Sequence, residues 1–195
     1  MKKYFIFFAV VAGVVMLESC VKVPQAEVDA ANAAIEQAKA AEANLYVEAD
    51  YQALVDSMNA VTAEIEAQKS KVMGSFGTVK EKLAMVTTQA GELVTKTETR
   101  KEEIKEEIAM AQAEVTTILA ENSQLAEKAP KGKEGKVAVE AIKLDIAAIT
   151  AAVDEIPALL ESGSLLEAQT KISAAKQKAA EINAELKSAL ENYNQ

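Results

Sequence analysis

Between Val28 and Tyr193 the apolar residues return every three or four positions rather than every second one. That spacing gathers them on one side of an α-helix but would scatter them over both faces of a strand, so the chain is committed to helices that each bury one stripe. Val28, Ala31, Ile35, Ala38, Ala41 and Leu45 form the first stripe, and Tyr51, Leu54, Met58, Val61, Ile65 and Val72 the second. The second continues through Phe76, Val79, Leu83, Val86, Ala90 and Leu93, then resumes at Ile104, Ile108, Ala111, Val115, Ile118 and Leu125. A fourth helix carries Val139, Ile142, Ile146, Ile149, Val153, Ile156 and Leu160, and a fifth runs from Leu165 through Ala168, Ile172, Ala175, Ala179, Ile182 and Leu186. Composition agrees: the body is rich in Ala, Glu, Lys, Leu and Ile, the strong helix formers, with 7 Gly and 3 Pro in 195 residues. Four of the eight aromatics precede residue 20, so the core must be built from Ala, Leu, Ile and Val in narrow helix–helix seams.

The breaks in the pattern place the elements at about 24–45, 50–73, 78–128, 136–161 and 164–193. Pro24 suits a first helical turn, where its missing N–H costs nothing. Tyr46 to Ala49 reads as a turn, with Asp50 placed to cap the next helix. Gly74-Ser-Phe-Gly77 interrupts the second stripe, which nevertheless continues with one extra step of four; the expectation is a bend or stutter within one long helix. Unbent, a helix from Asp50 to Glu127 would measure about 110 Å. Thr95–Arg100 has no strong apolar anchor and is expected to pack most loosely. Lys128 to Lys136, with Pro130, Gly132 and Gly135, is a loop; Pro157 should kink the fourth helix, and Ser162-Gly-Ser164 should end it. Short connections make neighbouring helices antiparallel. Helix one thus folds back on helix two, and helices four and five form a hairpin against the C-terminal half of the long helix. The expected fold is all-α: an elongated antiparallel helical bundle or coiled coil with one long central helix.

The first twenty residues follow another logic. Lys2 and Lys3 precede an unbroken apolar run, Tyr4 to Met16. The run is shorter than the ~20 residues of a bilayer-spanning helix, so export with cleavage is the better reading. Leu17-Glu18-Ser19-Cys20 comes next. This resembles the lipobox of bacterial lipoproteins, with Leu at −3, a small residue at −1 and Cys at +1, although Glu18 departs from the usual residue at −2. The resemblance implies that residues 1–19 are a signal peptide and that Cys20, alkylated with diacylglycerol, becomes the lipid-bearing N-terminus of the domain 20–195. Two or three acyl chains, at roughly 0.8 kcal/mol per buried CH₂, anchor stably where one does not. Val21 is not the Asp that retains such proteins in the inner membrane of enteric bacteria, which implies the outer membrane, on its periplasmic face. The alternative for a lone exported Cys is a free thiol or an intermolecular disulfide.

Ala40-Ala-Glu-Ala-Asn-Leu-Tyr-Val-Glu-Ala-Asp-Tyr51 and Leu160-Glu-Ser-Gly-Ser-Leu-Leu-Glu-Ala-Gln169 resemble Ala-rich helical-hairpin envelope lipoproteins, a group without an established activity. The chain is also similar to the small trimeric murein-linked lipoprotein in being helical and in its lipobox. Contact with peptidoglycan stays open, but the sequence closes on Asn192-Tyr-Asn-Gln195 without the C-terminal Lys that covalent attachment uses.

The remaining chemistry narrows the functions. Net charge is −9, and −10 once residues 1–19 are removed, which argues against nucleic acid and against lying flat on an anionic leaflet. With no His and a single Cys, zinc-type metal sites and His-based nucleophilic triads are excluded. Gly132-Lys-Glu-Gly-Lys136 lacks the spacing and preceding strand of a phosphate loop. Its neighbourhood of Lys128, Lys131, Lys133 and Lys136 could hold an anionic glycan or headgroup, and a solvated turn is the favoured reading. Glu102, Glu103, Glu106 and Glu107 could form a weak divalent-cation site, but the interleaved Lys101 and Lys105 favour a salt-laced exposed face. No catalytic, cofactor or metal residue is expected. The chain reads as a non-enzymatic, lipid-anchored spacer or interaction scaffold, partnered by the membrane and by another protein or itself. The alternative is a binding module that captures a specific envelope or exported partner.

Overall fold

A computed structural model describes residues 22–71, 74–129 and 133–193, with backbone only for 133, 134 and 193. The described residues are helical with no strand, in the order α1 Gln25–Ala40, α2 Ala43–Tyr46, α3 Glu48–Lys69, α4 Gly77–Lys128, α5 Lys133–Asp154, α6 Ile156–Glu161 and α7 Leu165–Tyr193. They fall into two compact units that meet in sequence between Glu98 and Thr99, and the 52-residue α4 contributes to both.

In the first unit, buried Pro24 stands at the N-cap of α1, and its carbonyl accepts from the Val28 N–H at 3.1 Å. Ala31, Ile35 and Ala38 point into the core. The helix stops at Ala40, earlier than the stripe through Leu45 suggested. Glu42 takes a left-handed conformation at φ 72 and turns the chain, its N–H bonded to the Lys39 carbonyl at 2.8 Å. A non-glycine residue there costs about 1–2 kcal/mol, and no glycine marks the position in the sequence. Beyond this turn Ala43 is buried and Leu45 is 54% exposed, the reverse of the expected stripe. Asp50 does not cap α3: Val47 holds the N-cap with no side-chain bond, and Asp50 lies in the first turn, in an ion pair with Lys96.

The expected bend at Gly74–Gly77 is a full reversal. Helix α3 ends at Lys69, and α4 starts at Gly77 and runs back alongside it. Glu64 accepts from Thr78 Oγ1 at 3.2 Å and pairs with Lys82, while Asp50 pairs with Lys96; fourteen residues back along α3 match fourteen forward along α4. Leu54, Met58, Val61 and Ile65 therefore face Phe76, Val79, Leu83, Val86, Ala90 and Leu93 in one core with α1. The turn fits tightly: a Cβ on Gly74 would collide with the Gln68 carbonyl oxygen. Val72 lies outside the described residues. In the polar stretch after Val94, Thr95, Lys96, Glu98 and Thr99 are exposed, while Thr97 is fully buried and its hydroxyl donates to the Leu93 carbonyl at 2.7 Å.

The second unit is a three-helix bundle of residues 99–128 of α4, then α5 with α6, then α7. Helices α5 and α7 are antiparallel, joined by Asp145–Lys178 at 3.1 Å and Glu155–Lys171. Helices α4 and α7 run parallel, because two reversals separate them. Their register is a ladder with rungs seven residues apart: Glu107 to Gln169 at 2.7 Å, Glu114 to Lys176 at 2.6 Å and Glu121 to Asn183 at 3.0 Å. Ile104, Ile108, Val115, Leu119 and Ala126 face Leu165, Ala168, Ile172, Ala175, Ala179, Ile182 and Leu186 inside it. Pro157 acts as expected: the helix breaks at Glu155, and Pro157 stands in the first turn of α6. At the other end Gly163, at φ 80, ends α6 in a Schellman motif, with Ser164 N–H on the Leu159 carbonyl at 2.9 Å and Gly163 N–H on that of Leu160 at 3.2 Å. Helix α5 begins at Lys133, three residues before the expected start; residues 130–132 of the loop lie outside the described residues.

Candidate functional site

The residue on which the sequence reading rests most, Cys20, lies outside the described residues, as do residues 1–19 and Val21. The described chain opens at exposed Lys22 and is packed at once: Val23 rests against the core of the first unit and Pro24 is buried. Among the described residues no helix is long and apolar enough to cross a membrane.

The acidic run on α4 is a salt-laced face. Arg100 donates to Glu103 at 3.1 Å and to Glu107 at 2.9 Å, and Lys105 pairs with Glu102 at 2.7 Å. Glu107 also accepts from Gln169 on α7, so it ties two helices as well as two turns. The Arg100 guanidinium, first by its hydrogen bond, holds the Glu107 carboxyl below the ordinary glutamate range; Glu107 in turn raises Arg100. Among the described residues no cluster of three or more acidic, His or Cys side chains is arranged to hold a metal ion. Of the four lysines near the 128–136 loop, Lys128 and Lys136 are exposed, Lys131 lies outside the described residues, and for Lys133 only the backbone is described.

Two arrangements went unread in the sequence. The first is a buried polar contact in the second unit. Asn122, fully buried, donates through Nδ2 to the Ala179 carbonyl at 2.8 Å and accepts at Oδ1 from Asn183 Nδ2 at 2.8 Å. Asn183 also donates to Glu121, whose carboxyl Lys187 and then Asn183 hold below its usual range. The signal was present: Asn122 occupies the core position between Leu119 and Ala126, where a polar residue fixes how helices align.

The second is a surface. Helix α5 carries two apolar stripes. One, with Ile149 buried and Val139, Ile142, Ile146 and Val153 half-buried, faces the bundle and is continued by buried Ile156 of α6. The other, Val137, Ala141, Leu144, Ala148 and Ala151, is exposed along its whole length. Open grooves flank it. One of about 430 Å³ lies against α7, floored by Ala148, Ala152 and Ala174; the other, about 380 Å³, lies toward the end of α4, beside Ala126, Lys136 and Val139. In the first unit a groove of about 280 Å³ between α3 and α4 is mixed in character, lined by Leu54 and Leu93 as well as Asp50, Ser57, Glu92 and Lys96.

The fold class is all-α, helical bundles sharing one long helix. The chain matches no family model, no curated protein and no solved structure.

Proposed function

We propose that this chain is a lipid-anchored, non-enzymatic helical protein of the bacterial cell envelope, held at the outer membrane on its periplasmic face, whose body serves as a spacer or interaction scaffold. The observation that carries the reading is the order of Lys2-Lys3, the apolar run Tyr4–Met16 and Leu17-Glu18-Ser19-Cys20 in a chain with no second Cys. Packing of the body supports it. Val23 and Pro24 already join the core, so at most three residues separate Cys20 from folded protein, a reach of about 10 Å. A body so close to its acyl chains is held at the bilayer, not flown on a long tether. The surface supports a structural role too. Ion pairs on it link neighbouring helices, such as Glu27–Lys80 at 2.8 Å and Glu121–Lys187 at 2.9 Å.

The test is Cys20→Ala with fatty-acid labelling and membrane fractionation. The wild-type chain takes up labelled palmitate and sediments with membranes; the variant does neither. An unmodified thiol in the native protein by mass spectrometry, or an unchanged distribution of the variant, refutes the anchor.

A further inference from the structure

The exposed stripe of α5 has the features of a self-complementary surface. Val137 is 71% and Leu144 72% exposed, the highest values among the large apolar side chains described. They lie on one line with Ala141, Ala148 and Ala151, in steps of four, three, four and three residues. That is the seam of a helix meant to meet another helix, and alanines beside each large residue let the axes approach closely. The stripe is not needed by its own bundle, which α5 serves with its other face.

Charge selects the partner and its direction. Lys136 and Asp154 are exposed, and neither is in an ion pair among the described residues. They stand eighteen residues apart, five full helical turns, so both project on the same flank of the stripe, about 27 Å from each other. A second copy laid on in the same direction would set this flank of the two helices on opposite sides of the seam, so that no Lys136 could reach an Asp154. Laid on antiparallel about a twofold axis near residues 144 and 145, it brings like flanks together end for end. Each Lys136 then comes opposite an Asp154, each Val137 opposite an Ala151, and the two Leu144 side chains meet at the axis with Ala141 and Ala148 of each copy beside them. Large meets small at both ends, leucine meets leucine at the centre, and positive meets negative twice over, a self-complementary pattern of the kind an isologous contact uses.

We propose that two copies of the chain pair antiparallel through α5, with Leu144 at the centre and Lys136–Asp154 ion pairs at both ends. This deepens the scaffold reading by naming its partner, and rests on that reading only for the use the pairing would serve.

The test is sedimentation of the full chain purified in mild detergent, with helicity checked by circular dichroism. The wild type sediments as a concentration-dependent dimer. Leu144→Lys, an exposed and therefore fold-tolerant change, weakens dimerisation at least about tenfold, a cost of about 1.4 kcal/mol. Lys136→Glu weakens it by a smaller factor, and adding Asp154→Lys to Lys136→Glu restores it. A monomer at every concentration, a dimer indifferent to Leu144→Lys, or a charge swap that fails to restore overturns the proposal. The Cys20→Ala chain separates the two readings. If it leaves the membrane yet still dimerises, both stand; if only the lipidated chain self-associates, the pairing is driven by lipid and the proposal falls. A dimer formed by a protein whose Cys20 is unmodified refutes the anchor and leaves the pairing in place.

Discussion

Replacing Asn122 by Ala tests how the second unit is held. The Ala side chain loses the bond to the Ala179 carbonyl and the bond from Asn183, both at 2.8 Å. Neither partner is orphaned by this. Ala179 lies inside α7, where its carbonyl keeps its helical bond, and Asn183 is half-buried and still donates to Glu121. The cost is therefore two net hydrogen bonds at about 1 kcal/mol each, plus a small void at a fully buried site, or about 2–3 kcal/mol in all. Hydrogen exchange read by mass spectrometry is the assay, because it reports helix by helix. Peptides covering 115–126 and 175–186 should exchange roughly 30- to 150-fold faster in Asn122→Ala. Asn122→Leu, which fills the space without a polar group, should cost less than the Ala change. An acceleration below about threefold in Asn122→Ala would mean that the buried amide contributes little, and the account of the core would be wrong.

Two further outcomes are expected. Gly74→Ala sets a methyl group against the Gln68 carbonyl, backbone that cannot swing aside, and so should open the α3–α4 turn; a lower melting temperature checks it, and an unchanged one refutes the tight reversal. The carboxyls of Glu27, Glu64, Glu107 and Glu121 are each held below the ordinary value of 4.5 by Lys80, Lys82, Arg100 and Lys187 respectively. A depressed carboxyl contributes stability above its unfolded pKa and loses it as pH falls through the folded one. Urea midpoints should thus hold steady above about pH 5 and fall below the usual glutamate range, less steeply in high salt because these groups face solvent.

What could be read from the sequence, and what could not, follows from what periodicity encodes. Spacing of three and four fixes which side of a helix is buried, so Leu54 to Ile65 and Val79 to Leu93 were legible as core. It does not encode direction. The two arms of a hairpin both turn their stripes inward, and the stripe from Ile65 past Phe76 looks the same whether the chain bends or reverses. Glu42 hid a turn because the left-handed position is held by a residue without the usual mark of glycine. Leu45 was misplaced as a consequence. Pro157 and Gly163 were legible because each acts on the backbone alone. The second face of α5 is hidden in the sequence because Ala141, Ala148 and Ala151 look neutral beside the stronger Ile stripe, and Asn122 because Ile118 and Leu125 form an apolar line beside it.

The seven-residue rungs between α4 and α7 carry a consequence for how such a chain can change. Seven residues are close to two turns, so a segment of that length added to each of three packed helices would return every side chain to its face and every rung to a partner. A single added residue would rotate all that follows by about 100° and turn the core outward. Length in this bundle is therefore a quantised property. Descendants of the chain can grow or shrink in two-turn steps while keeping the same cross-section.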